Sequence, residues 1–129
     1  MPLQKEHLPT VYTLARNAYH QAATKSASAE EISRVGGIKV STANDLVRNL
    51  QHMIKGERYR RRLASAVTAY FLEAIYRDFG RPGLANALSA LEKHIDYYEE
   101  KASVNNVTDR SILEQFRAVL VTHESKTLA

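Results

Sequence analysis

Apolar residues recur along this chain at three- and four-residue intervals, the spacing that lines one face of an α-helix, and strict apolar–polar alternation is nearly absent. The pattern predicts a first helix over about residues 9–24, with Pro9 near its start and Val11, Leu14, Ala15, Ala18 and Ala22 on one face. The polar stretch Thr24-Lys25-Ser26-Ala27-Ser28 breaks it. Ser28, three residues before Glu31, reads as a capping box opening a short second helix that stops at Gly36-Gly37.

After an extended link, Ile38-Lys39-Val40, Ser41 reads as the N-cap of a third helix. Its stripe is the cleanest in the chain: Ala43, Leu46, Val47, Leu50, Met53 and Ile54, ended by Gly56. Leu63, Ala66, Val67, Tyr70, Phe71, Ala74 and Ile75 form the apolar face of a fourth helix. Gly80-Arg81-Pro82-Gly83 stops it and starts a fifth, with Leu84, Ala87, Leu88, Leu91, Ile95 and Tyr98 on one side. A polar loop from Ser103 to Thr108 precedes a sixth, carrying Ile112, Leu113, Phe116, Val119 and Leu120. No long linker separates these segments. The expectation is an all-α protein, a single compact bundle of about five to six helices forming one domain over residues 1–129.

Composition narrows the chemistry. The absence of cysteine removes disulfides, thiolate zinc sites and cysteine nucleophiles. Residues 3–7 and their neighbours Met1-Pro2 lack the apolar core of a signal peptide, and no apolar run suffices for a membrane span, so a cytoplasmic protein with no membrane partner is expected. The five histidines (His7, His20, His52, His94, His123) are scattered without metal-pair spacing. No nucleophile elbow, Walker loop or dinucleotide fingerprint occurs. Glu92, Asp96 and Glu100 share one face of the fifth helix, with Glu99 beside them; they read as a solvated charged face rather than an acid/base site. No enzyme activity, cofactor or metal is expected.

Charge is unevenly placed. Residues 1–62 hold 11 Lys and Arg against 5 Asp and Glu, whereas residues 63–129 hold 7 against 9. The excess culminates in Lys55-Gly56-Glu57-Arg58-Tyr59-Arg60-Arg61-Arg62, whose guanidinium groups match phosphate oxygens and whose Tyr59 is a candidate stacking platform. Salt bridges to Glu73, Asp78 or Glu92 are the competing use of these arginines, and cations at a helix start oppose its dipole. Just upstream, Glu30 to Gly37 followed by the helix from Ser41 has the length of a helix-turn-helix, which makes Thr42, Asn44 and Arg48 candidates for reading bases. His94 and Tyr97 flank the apolar stripe, placed either to reach a ligand or to cap the core edge, while Tyr98 belongs to the core.

Four stretches between about residues 36 and 99 carry a family resemblance: Ser41-Thr42-Ala43-Asn44-Asp45, Met53-Ile54-Lys55-Gly56-Glu57-Arg58-Tyr59-Arg60-Arg61, Asp78-Phe79-Gly80 and His94-Ile95-Asp96-Tyr97-Tyr98-Glu99. In this order they resemble the helical N-terminal region of bacterial HNH-type restriction endonucleases. The resemblance implies a DNA-recognition or assembly domain of a restriction or phage-defence system, either one domain of a longer protein or a free-standing relative. The HNH metal motif itself is absent from these 129 residues, so nuclease activity is not implied. The expectation is a DNA-binding helical domain whose partners are DNA, a nuclease subunit or a second copy. The alternative is a protein-interaction module: a homodimer, an adaptor subunit or a small phage-coded inhibitor.

Overall fold

The computed structural model describes residues 3–103 and 105–128, with side chains as far as Thr122; Met1-Pro2 and the His123 side chain lie outside the described residues. These residues form a turn of 3-10 helix, Lys5–His7, and five α-helices: α1 (Leu8–Tyr19), α2 (Lys25–Gly36), α3 (Val40–Lys55), α4 (Ser65–Ala102) and α5 (Val107–Leu128). No strand occurs among them; the fold is all-α. The chain divides into two compact units, Met1–Gln51 and His52–Ala129.

In the first unit α1 packs against α2. Val11, Tyr12, Ala15, Ala29 and Ile32 are fully buried there, each large aliphatic contributing about 1.5–3 kcal/mol by leaving water. Helix α1 is shorter than its periodicity suggests. Gln21 adopts a left-handed φ of 61° that turns the chain, so Ala22 is exposed outside the helix rather than on its apolar face. Helix α2 starts earlier than expected, because Thr24 has extended backbone and its hydroxyl accepts from the Ala27 amide at 3.0 Å. Ser28, which shares the capping-box spacing, is buried inside the helix instead.

Gly37 ends α2 in the left-handed region at φ 65°, and the Ile38 amide folds back onto the Ser33 carbonyl at 3.3 Å. Helix α3 then begins at Val40. Its first carbonyl acceptor is Lys39, which receives the Ala43 amide at 3.0 Å, so Ser41 sits within the first turn and not at the cap. All six residues of the predicted stripe on α3 are buried.

In the second unit the long α4 is interrupted once. Gly80 has φ 71° and ψ −163°, a conformation essentially closed to other residues, and Pro82 opens the arm that follows. The two arms meet so tightly that a Cβ on Gly83 would stand 2.3 Å from the Phe79 Cβ. Phe71, Leu72 and Ile75 before the break, and Leu84, Leu91 and Ile95 after it, are fully buried. Helix α5 packs on α4 and is capped by Asn106, whose side chain accepts from the Asp109 amide at 3.4 Å and donates to Asp109 Oδ2 at 2.8 Å. Burial fades along α5: Ile112 and Leu113 are buried, Phe116 and Leu120 half-buried, and Val119 exposed.

Candidate nucleic-acid interface

Beyond Lys55, the last residue of α3, the basic run does not lie on a helix. Helix α3 ends where the Gly56 amide bonds the Met53 carbonyl at 3.2 Å and the Glu57 amide bonds the His52 carbonyl at 2.8 Å. Residues 57–64 then form an irregular connection to α4. The arginines therefore fall outside the first turn of α4, where the conflict with the helix dipole is weakest.

Two side chains hold the connection down. Tyr59 is 1% exposed and His94 is fully buried. Their rings stack with centroids 4.3 Å apart and an interplanar angle of 11°. His94 Nδ1 donates to the Tyr59 carbonyl at 2.7 Å, which assigns the proton to Nδ1. Burial pushes the imidazole below its ordinary pKa, and the same burial, with Asp109 nearby, pushes the Tyr59 phenol upward. Tyr59 is thus core and not the exposed stacking platform its neighbours suggested. His94 likewise caps the core from inside.

With Tyr59 turned inward, its neighbours turn outward. Lys55, Arg58, Arg60, Arg61 and Arg62 are all exposed. The Arg58 guanidinium lies over the Tyr97 ring, 4.4 Å from its centroid. Arg62 Nε stands 3.5 Å from Oδ2 of the buried Asp109, and its guanidinium lies 5.8 Å from the Tyr98 centroid. Tyr98 is half-buried rather than fully core. Lys55 and Arg60 make no hydrogen bond or ion pair among the described residues, whereas Arg61 is engaged.

Asn44 and Arg48, four residues apart, share a face of α3 away from its apolar stripe, and Thr42 projects from another flank. Thr42 and Arg48 are exposed and Asn44 is half-buried. These three belong to the first unit and the basic connection to the second.

Three carboxylates of α4, Glu92, Asp96 and Glu99, are matched by arginines of α5. Arg117 donates to Glu92 at 2.6 Å, and Arg110 bonds Asp96 at 2.9 Å and Glu99 at 2.6 Å. The Arg110 bonds, with the Asn106 amide donating to Glu99 at 2.7 Å, hold the Glu99 carboxyl below its ordinary pKa. Asp78 pairs with its neighbour Arg77 at 2.9 Å. Among the described residues no group of three His, Cys, Asp or Glu is placed to hold a metal ion. No described helix is long and apolar enough to cross a membrane.

An open cleft of about 670 Å³ lies beside the basic connection, lined by Gly56, Glu57, Arg58, Lys93, Asp96, Tyr97 and Glu100. Lys93 reaches across to donate to the Gly56 carbonyl at 3.0 Å. Sequence reasoning had only Arg58 here as a nucleic-acid contact. The available signal was Tyr97: an aromatic beside the apolar stripe, with Lys93 and Lys101 one helical turn away on either side.

No protein-family model, curated protein or solved structure matches this chain.

Proposed function

We propose that this protein is a DNA-binding helical domain that grips the phosphate backbone with Lys55, Arg58, Arg60, Arg61 and Arg62. The observation that carries this reading is the pairing of an exposed cationic run with a buried attachment: Tyr59 and His94 hold the connection in place while the charges face solvent. A backbone fixed in this way has little further entropy to lose when an anion docks, so the ordering cost falls on the side chains alone. Glu92, Asp96 and Glu99 of α4 are occupied by Arg110 and Arg117, and within the run Arg62 shares the Asp109 carboxylate. Thr42, Asn44 and Arg48 are the proposed base readers on α3. The resemblance to restriction-type proteins suggests a restriction or phage-defence setting.

Electrophoretic mobility shift with duplex, single-stranded and methylated DNA at two ionic strengths tests the reading. The double variant Arg60→Glu/Arg61→Glu should lose binding while its helical circular dichroism is unchanged; unaltered affinity rejects the assignment.

A second reading, a protein-interaction module, draws on a shallow groove of about 300 Å³ lined by Glu73, Tyr76, Gln115, Phe116 and Val119. A stable dimer in light scattering, with no DNA affinity at low salt, would favour it.

A further inference from the structure

The cleft beside the basic connection has features that phosphate binding alone does not use. Its wall carries an aromatic ring, Tyr97, already covered by the planar guanidinium of Arg58 at 4.4 Å. A second cation, Lys101, stands 5.9 Å from the same ring. Its rim carries both signs of charge: Lys93 on one hand, and Glu57, Asp96 and Glu100 on the other. Two of these acids are engaged, Glu57 with His52 at 3.2 Å and Asp96 with Arg110 at 2.9 Å. Glu100 is exposed and makes no ion pair among the described residues. Such a lining disfavours a bare phosphate and favours a flat, neutral, aromatic ligand whose edge donates hydrogen bonds.

We infer that this cleft takes up one unpaired nucleobase from a single strand, stacked on the Arg58–Tyr97 pair with its donor edge turned to Glu100. Planar bases stack readily on arginine guanidinium and tyrosine faces. A free carboxylate accepts from amino and ring N–H groups, so guanine, with two adjacent donors on its pairing edge, fits best. Thymine offers one N–H between two carbonyls and fits poorly. Arg58 belongs to both the basic run and the cleft, so a strand held by the run is delivered to the base site. The inference rests on the DNA-binding reading above.

Fluorescence anisotropy with three labelled probes tests it: a twelve-nucleotide thymidylate strand, the same strand with one central guanine, and a twelve-base-pair duplex. The wild-type protein should bind the guanine-bearing strand several-fold more tightly than thymidylate alone. Tyr97→Leu should weaken both single strands about tenfold and spare the duplex. Tyr97→Phe, which keeps the ring, should restore single-strand affinity. Glu100→Gln should erase the guanine preference without weakening thymidylate binding. If Tyr97→Leu leaves both single strands unaffected while Arg60→Glu/Arg61→Glu abolishes duplex binding, the base site is overturned and the backbone-binding reading stands. No binding of any probe by the wild-type protein overturns both.

Discussion

His94 and Tyr59 are joined twice: their rings stack at 4.3 Å, and the imidazole Nδ1 donates to the tyrosine's own carbonyl at 2.7 Å. The pair fastens an irregular connection to the second arm of α4 with both a face contact and a directed bond. Its loss should be felt as stability. His94→Phe keeps a stacking ring but orphans a buried carbonyl, at a cost of about 1–3 kcal/mol. His94→Ala removes ring and bond together and leaves a cavity, for about 3–5 kcal/mol. Urea denaturation followed by circular dichroism measures both; a His94→Ala loss below that of His94→Phe would contradict the stacking contribution.

The same histidine makes stability depend on pH. Its folded pKa is depressed by burial, which outweighs the opposing bond to the Tyr59 carbonyl and the nearby Asp109, while Arg62 adds a little to the depression. Below its ordinary value of 6.5 the unfolded chain takes up a proton that the folded protein refuses. Its contribution is therefore intact above pH 6.5 and declines as pH falls, by about 1.4 kcal/mol per pH unit, until the folded pKa is passed. Glu99, whose pKa is also lowered, adds a second decline beginning at its ordinary value of 4.5. Thermal melts from about pH 8 down to about pH 2 should show both phases. His94→Gln should erase the upper one alone.

Salt dependence reports the number of cations at work. If Lys55 and the four arginines of the connection each neutralise one phosphate, log K against log salt should fall with a slope of about −4.5. Lys55→Ala should make that slope shallower by about 1 and weaken all duplex sequences alike. A change confined to particular sequences would mean that Lys55 reads bases.

The glycines of α4 should respond more severely than that of the α2–α3 turn. Gly83→Ala places a methyl group 2.3 Å from the Phe79 Cβ, which the packed arms can relieve only by separating, at a cost of about 1–3 kcal/mol. Gly37→Ala meets nothing within 4 Å, and its φ of 65° alone costs about 1 kcal/mol. Equal effects in chemical denaturation would show that the arms yield easily.

Helix content and the core stripes were legible in the sequence because both depend on local spacing. The residues of α3 from Ala43 to Ile54 show this most cleanly. Boundaries were less so. Thr24 and Ser28 are both competent caps, and the choice between them is made by backbone torsions that spacing does not encode. The interface was legible as charge but not as geometry. Nothing local separates Tyr59 from the arginines around it, because its burial depends on His94, 35 residues further along the chain. Pairing of Glu92 and Glu99 with Arg117 and Arg110 is equally non-local, since it requires α5 to fold back along α4.

The irregular course of residues 57–64 has a consequence for handling the native protein. Four arginine-directed scissile bonds fall within one exposed stretch that carries no helical ladder and is anchored at Tyr59. Limited digestion should begin there, and a bound strand should slow it, giving a footprint of occupancy without labels or mutations.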